Sequence, residues 1–572
     1  QILAGYRREW LRADLIAGIS VCMVMIPSVV AYAGLAGLPP VNGLYASLAA
    51  LIGYGLFASS KQVIAGPDAA LTLLVGVAIT PLIASDPARA PLLAAALAVI
   101  TGLLLLLTAL LRAGVVADLL SKPVLVGYLT GAALILISTQ LGKFFGVSLE
   151  EREFFPILGE LWQRHPEFHG LTTWLGIGLV ALQIVLRIVS TKIPSALVVF
   201  ALALGLSYSV DLEARGVKLV GTVAAGLPAP AVPWIQLSDV GPLMAGAIAL
   251  ALLTIPEGIL LARAFASRNG DEIKPNQEIA ALGVGNLLSG FLQGFSVGAS
   301  QSRTTVNESA GGKTPIAGLA AAGGLVLFLL FLTPLLERLP SVVLAAILVY
   351  AGSQLIEVNQ YRELLRFSRL SFGLALIVML GVLFAGVLQG ILLGVAISLV
   401  YVIGRLARPM DAVLREIPGK RRYHDLGDED GKAAETAPGV IAYRFYAPLV
   451  FANAEHFVSR VRSMIGESPN PVRLFVLDAQ AISEIDSSAL EQLSRLAREL
   501  KSREIRFRIA RANRPLREML ERTGVLTLIG PDALAPSVHS AVHAHLDGQQ
   551  PRTVPTTDNP SSSSTSNRTS ST

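Results

Sequence analysis

Arg303 sits in the string Ser296-Val297-Gly298-Ala299-Ser300-Gln301-Ser302-Arg303, inside a chain that is otherwise apolar around it. An arginine in the first turn of a helix that starts at membrane depth adds a full charge and a fork of donors to the positive helix end. That combination suits an oxyanion, and Ser302 offers a further hydroxyl donor. Arg303 has a second reading, as the neutralising partner of a carboxylate such as Glu308 or Glu257. Glu257 follows Pro256 in the apolar run 255–262. A carboxylate there binds a proton or a cation, or pairs with a base. Away from water the neutral form of such a group is favoured, which suits a coupling proton, with sodium as the alternative. Asp68, after Gly66-Pro67, reads either as the cap of a helix start or as a second titrating group near the ligand. Ser28 and Tyr32 line the same cavity or serve span packing, with local backbone bonding as the bland role of Ser28.

The segments that must position these residues come in matched pairs. Ile26-Pro27-Ser28-Val29 in the first apolar segment answers Ile255-Pro256-Glu257-Gly258 in a later one. Ala65-Gly66-Pro67-Asp68-Ala69-Ala70 answers the string ending in Ser302-Arg303. Hydrophobic segments broken by Gly and Pro at corresponding places in two halves indicate a transporter built from inverted repeats. Irregular backbone at that depth persists only where protein encloses it. Two half-helices, starting near Gly66-Pro67 and near Gly298-Ala299-Ser300, are therefore expected to face each other across an anion site.

The remaining composition agrees. The chain of 572 residues is 53% hydrophobic and only 15% charged, with a mean hydropathy of +0.60, which places it among integral membrane proteins. The runs 91–111 and 371–404 carry no charge, enough for one pass and two passes at roughly 20 residues per span. Cys22 is the only cysteine, so no intrachain disulfide forms. The net charge of +5 reflects orienting loops, not nucleic-acid binding. Drawing about fourteen spans with both termini inside puts the basic clusters from Arg7 and Arg8 through to Arg405 and Arg408 on the cytoplasmic side. The acid-rich segment 150–169 then falls outside. No charged–apolar–cleavage pattern opens the chain at Gln1, so no removable signal peptide is expected.

By composition, residues 1–408 are the membrane part and 409–438 a polar linker. Residues 439–548 alternate short strands (440–445, 473–478, 506–510) with amphipathic helices (454–464, 488–501), a small α/β domain. The Ser/Thr/Pro-rich tail 549–572 lacks the apolar residues to pack. In the α/β domain, Ile485-Asp486-Ser487-Ser488 joins strand to helix, a capping sequence in which Ser488 is also a candidate phosphorylation site. There is no Gly-Lys phosphate loop for ATP-driven pumping. No Cys/His cluster suggests a metal, no nucleophile–base pair stands out, and no cofactor is implied.

Asp14-Leu15-Ile16-Ala17-Gly18-Ile19-Ser20, Ala31-Tyr32-Ala33-Gly34-Leu35-Ala36-Gly37-Leu38-Pro39-Pro40 and Gly43-Leu44-Tyr45-Ala46-Ser47 strongly resemble the opening of SulP sulfate permeases. So do Ala65-Gly66-Pro67, Lys122-Pro123-Val124-Leu125-Val126-Gly127-Tyr128, Asn286-Leu287-Leu288-Ser289-Gly290, Ser302-Arg303-Thr304 and Gly311-Gly312-Lys313-Thr314. The C-terminal domain resembles a STAS domain, and the match spans nearly the whole chain apart from linker and tail. The resemblance implies a polytopic α-helical membrane protein with two inverted seven-span repeats, arranged as core and gate subdomains, plus a cytoplasmic α/β STAS domain. It also implies a homodimer in a bacterial-type cytoplasmic membrane and an elevator motion of core past gate. The family's anion site maps onto Gly66, Pro67, Asp68, Ala69, Ser302 and Arg303, with Ser28 and Tyr32 from the first span. Its coupling position maps onto Glu257. Three departures stand out: Ser28 where many members have glutamine, an acid at Asp68 where the position is often aromatic or small, and Ala489 where antagonists of the STAS type carry glycine. The last weakens the phosphoserine role for Ser488.

The expected function is secondary active transport of a small anion, sulfate with protons first. Bicarbonate or a dicarboxylate, with protons or sodium, is the alternative. A passive channel or exchanger forms a second class, against which Glu257 speaks, because uncoupled conduction needs no buried carboxylate. A sensor working through the STAS domain and its protein partner is a third, against which the paired half-helices and Arg303 speak.

Overall fold

The computed structural model describes residues 6–83, 86–112, 121–151, 153–190, 194–221, 223–416, 423–425 and 437–546. It forms two compact units that part between Leu399 and Val400. The tail read as 549–572 lies outside the described residues.

The first unit is helical. Its first half runs α1 (Leu11–Leu35), α2 (Pro40–Phe57), the short strand β1 (Ala65–Gly66), α3 (Ala69–Ile79), α4 (Ala90–Leu110), α5 (Lys122–Phe145), an amphipathic α6 (Phe154–Gln163), α7 (Gly170–Val189) and α8 (Ser195–Ser209). The second half repeats that order: α9 (Leu237–Asn269), α10 (Pro275–Phe291), β2 (Gly298–Ala299), α11 (Gln301–Ser309), α12 (Ile316–Leu327), α13 (Ser341–Leu355), an amphipathic α14 (Val358–Phe367), α15 (Arg369–Ala385) and α16 (Val387–Ala407). Each half thus holds seven helices besides its amphipathic one. Nine helices among the described residues are long and apolar enough to cross a membrane, and three shorter apolar ones, α3, α8 and α15, accompany them. The packing separates into two groups. In one, α10 packs against both α2 and α4, α3 against α9, and α1 against α12. In the other, α5 packs against α13 and α15, and α7 against α13.

One expectation is corrected. The segments carrying Pro27 and Pro256 do not break, since α1 and α9 run straight through their prolines. Only the segments at Gly66 and Gly298 are interrupted. A proline removes one backbone donor, and a helix packed on all sides absorbs that loss where neighbours re-satisfy the freed carbonyl.

Buried polar side chains join the halves in matching ways. Asn42 Nδ2, at the start of α2, donates to the Gln293 carbonyl just past α10 (2.6 Å). Glu278, at the start of α10, accepts from Ser59 N (2.8 Å), Ser59 Oγ (2.5 Å) and Ser60 N (2.6 Å) just past α2, and from Tyr54 Oη in the last turn of α2. Likewise Asp14, in the first turn of α1, accepts from Lys313 N (2.6 Å) and Thr314 N and Oγ1 just before α12. Asp239, in the first turn of α9, pairs with Arg89 just before α4 (2.5 Å). Acids near helix N-termini are stabilised by the dipole as well as by these donors.

The second unit is built on a sheet of order β4-β3-β5-β6-β7-β8, from β3 (Asp411–Glu416), β4 (Tyr423–Asp425), β5 (Val440–Phe445), β6 (Leu474–Asp478), β7 (Arg506–Ala510) and β8 (Leu534–Ala535). Strands β5 to β8 are parallel, and β3 and β4 add an antiparallel edge. The helices are α17 (Ala454–Glu467), α18 (Ser487–Ser502), α19 (Arg514–Arg522), α20 (Val525–Ile529) and α21 (Val538–Leu546). The strands and helices expected from residue 440 onward are present. Within the stretch 409–438, read as linker, residues 411–416 and 423–425 form β3 and β4, while 417–422 and 426–436 lie outside the described residues. Asp486 caps α18 by accepting from Ala489 N (2.8 Å), and Ser488 is exposed in the first turn.

Glu278→Ala strands the donors of Tyr54, Ser59 and Ser60, at about 1–3 kcal/mol for each one left buried and unpaired. The expected outcome is a clear drop in the melting temperature of the detergent-purified protein, smaller for Glu278→Gln. Equal melting curves for Glu278→Ala and the parent would show that the α2–α10 junction does not depend on this carboxylate.

Candidate functional site

The site is where the two interrupted segments meet. Strands β1 and β2 pair antiparallel, Ala65 opposite Ala299 and Gly66 opposite Gly298. Gly66 stands two residues before Asp68, the N-cap of α3, and Gly298 two residues before Ser300, the N-cap of α11. Each glycine therefore faces its own counterpart, which puts a local two-fold axis between them. A side chain at either glycine would displace a neighbour. A Cβ on Gly298 would come within 2.4 Å of Leu71 Cδ1, and one on Gly66 within 3.1 Å of Arg303 Nη2.

Side chains complete what the two short strands leave open. Ser300 N donates to the Ile64 carbonyl (3.0 Å), and Ile64 N donates to Thr304 Oγ1 (3.0 Å). Asn286 on α10 holds Val297 from both sides, through Nδ2 to its carbonyl (2.8 Å) and Oδ1 from its N–H (3.0 Å). Backbone without helix or ladder is thus satisfied by protein, as its depth requires.

Arg303, only 2% exposed, reaches from the first turn of α11 to the other repeat, where Nη2 donates to the Pro67 carbonyl (2.6 Å). Its Nε is buried without a partner among the described residues. Glu308, one carboxylate considered for it, is engaged by Arg268 (3.7 Å) and Asn269 Nδ2 (3.0 Å), and no ion pair of Arg303 is present among the described residues. Ser300 caps α11 with no side-chain bond, so the donors of that first turn are not covered by their own cap. Ser302 is exposed, its Oγ 3.3 Å from Ser300 Oγ.

Asp68 caps α3, Oδ1 accepting from Ala70 N (3.2 Å), and also acts electrostatically on Arg303, Tyr32 and Glu257. Of the two sequence readings of Asp68, the helix cap is the one observed. Ala69, the first residue of α3, is buried. Tyr32 is buried within reach of the Arg303 charge. Ser28 donates to the Val24 carbonyl of its own helix (3.2 Å). Glu257 is half-buried on α9 and makes no hydrogen bond or ion pair among the described residues. Tyr128, on α5, was legible only as part of a motif, yet it is fully buried, its hydroxyl has no partner among the described residues, and it sits in the field of both Glu257 and Asp68. It and Asn286 are the residues that the sequence left without a role. The available signal was their polarity inside apolar spans.

Residues 11–378 match the family model described as "Sulfate permease family", and residues 432–541 match that of the STAS domain. The chain belongs to the sulfate permease family. This family member is 39% identical over 539 residues to a probable sulfate transporter of Mycobacterium tuberculosis, covering 94% of this chain and 96% of the relative. It is 30% identical to the chloroplastic sulfate transporter 4.1 of Arabidopsis thaliana, covering 94% and 80%. Among solved structures, the murine solute carrier 26 member A9 anion transporter in its inward-facing state superposes with a TM-score of 0.88 at 22% identity, covering 95% of this chain and 93% of that one. That likeness concerns the fold, a polytopic helical membrane unit followed by a STAS domain.

Gly66→Ala pushes a methyl group against the Arg303 guanidinium and away from Pro67. The expected outcome is a protein that elutes as the parent does in size exclusion but binds its anion at least several-fold more weakly. Unchanged anion affinity in Gly66→Ala would show that the guanidinium position does not matter to the site.

Proposed function

We propose that this sulfate permease family member carries a small oxyanion, sulfate first, across the membrane by proton symport. The observation that carries the reading is Arg303, buried where two half-helix starts from opposite repeats meet and tied across them to Pro67. Two positive helix ends and a guanidinium with an unpartnered Nε form a site for an anion. Gly66, Pro67, Ala69 and Ser302 contribute backbone and hydroxyl groups, and Tyr32 and Ser28 close it from α1. The names of the relatives support sulfate as the anion.

The local charge balance supports coupling to protons. Asp68 is a carboxylate placed where the anion must sit, and Glu257 is a second one without a basic partner. With both ionised, the single Arg303 cannot offset them and also hold a doubly charged ligand. Protonating Glu257 removes one negative charge and lets the anion in. Tyr128, in the field of both acids, holds a buried hydroxyl without a partner among the described residues. Reversal of that order on the far side releases anion and proton together. In this reading the α1–α4 and α9–α12 group carries the site past the α5, α7 and α13 group as an elevator. The protein acts as a homodimer in a bacterial-type cytoplasmic membrane, with both termini cytoplasmic.

The test is uptake of labelled sulfate into proteoliposomes with and without an inward proton gradient, run beside Glu257→Gln and Arg303→Ala. Uptake stimulated by the gradient, abolished by Arg303→Ala and made gradient-insensitive or lost by Glu257→Gln, is the expected result. Uptake of bicarbonate or a dicarboxylate but not sulfate would replace the substrate. Sulfate uptake indifferent to protons and to Glu257→Gln would overturn the coupling role and point to sodium symport, exchange or a channel.

A further inference from the structure

The second unit brings together three metal-type donors that no sequence pattern announced. Glu416 closes strand β3, and His539 and His543 stand one helical turn apart on α21. Glu416 Oε1 lies 3.3 Å from His539 Nδ1 and 3.3 Å from His543 Nε2, and the three donor atoms all fall within 4.8 Å of one another. The two imidazole ring centroids are 3.9 Å apart with the planes at 44°, tilted and not stacked flat.

The two carboxylate–imidazole separations fit a shared ion. Ligands held at Zn–N and Zn–O distances of about 2.0–2.2 Å with tetrahedral angles are about 3.3–3.6 Å apart. Hydrogen bonding alone accounts for less. His543 Nε2 can bond to Glu416, but His539 Nδ1 is buried with no hydrogen-bond partner among the described residues despite its closeness to the same oxygen. A buried imidazole nitrogen without a hydrogen-bond partner, set beside a carboxylate oxygen and a second imidazole, is a ready ligand. The site has an orienting partner as well. Tyr423, opposite Glu416 in the β3–β4 ladder, donates its hydroxyl to Glu416 Oε2 (3.3 Å). Burial, and after it the Glu416 charge, push that hydroxyl up, so it stays a donor. Outer partners of this kind fix a ligating carboxylate. All three ligands are partly exposed, at 32%, 22% and 39% of their side chains, which leaves an entry path and a fourth position for water.

We propose that Glu416, His539 and His543 form a binding site for a borderline divalent transition ion, Zn²⁺ fitting best. Two imidazoles and one carboxylate suit that class over Mg²⁺ or Ca²⁺, which take oxygen. Occupancy fastens the C-terminal helix α21 to β3, the first strand of the sheet, and so makes the stability of this unit responsive to the metal.

The experiment uses the full-length protein, purified in detergent and stripped with a chelator, titrated with Zn²⁺ by calorimetry and followed by thermal unfolding. One saturable site per chain and a zinc-dependent rise in melting temperature are expected. His543→Gln, at a half-exposed position, should weaken binding by about tenfold or more. The pair His539→Gln with His543→Gln should abolish it, and Glu416→Gln should weaken it, while His456→Gln on a different helix leaves it intact. Absence of a saturable site in the parent protein overturns the proposal. So does zinc binding that survives the double substitution, or that falls equally in His456→Gln.

Discussion

Backbone that leaves its helix inside hydrocarbon must find its hydrogen-bond partners in protein, and in this membrane unit two such stretches are each other's partner. β1 and β2 meet as equivalent strands of two repeats. Much that is distinctive nearby follows from that meeting: Gly66 and Gly298 because a side chain there would crowd Arg303 or Leu71, Asn286 and Thr304 because two residues of ladder cannot satisfy the flanking groups. Two helix N-termini, α3 and α11, are left aimed into one space. An isolated half-helix would leave its donors in hydrocarbon at several kcal/mol each. Paired, the two starts bring two positive helix ends together as a by-product of being satisfied.

Arg303 extends the same logic from backbone to side chain. A guanidinium in a span is costly unless its donors are met, and among the described residues it donates to the Pro67 carbonyl while its Nε stays without a partner. Proline contributes twice at that point, by having no N–H to satisfy and by offering a carbonyl outside any helix. Asp68 then sets the tone of the pocket, since the same carboxylate that starts α3 also moderates the charge of Arg303. A helix cap and an electrostatic control are one residue here, so altering the pocket's charge also alters the stability of the half-helix that forms it.

Away from the centre, the halves are joined by polar groups at helix ends and by close packing between them. Asn42 with Gln293 and Glu278 with Ser59 and Ser60 mark the two ends of the α2–α10 pair. Asp14 and Asp239 do the same for the approaches to α12 and α4. Each junction leaves the middle of the bundle apolar and puts its polar groups where helix termini need them. In the second unit, Asp478, with no exposed side-chain surface, lies between Arg444 (2.7 Å) and Arg511 at the ends of adjacent strands, again a buried charge kept only with its partners.

Local sequence carried much of this. Apolar runs mark most of the spans, Gly and Pro mark the two interruptions, and strand and helix periods mark the α/β unit from residue 440, because burial and backbone freedom leave their trace within a few positions. Arg303, Glu257 and Asp68 were visible as ionisable residues in apolar surroundings. Tertiary structure alone decided what they meet. Arg303 and Pro67 are 236 positions apart, Asn42 and Gln293 251, and Glu416 and His543 127, separations over which no periodicity survives. Proline at 27 and 256 looked like a break and is not one, since α1 and α9 continue through it. The stretch after residue 409 looked like a linker, yet residues 411–416 and 423–425 in it are strands, paired with β5 and with each other in a way that local composition does not show. Which residues are polar in an apolar place is written locally; which of them touch is a property of the folded chain, where the cost of an unpaired group is resolved by partners from the other end.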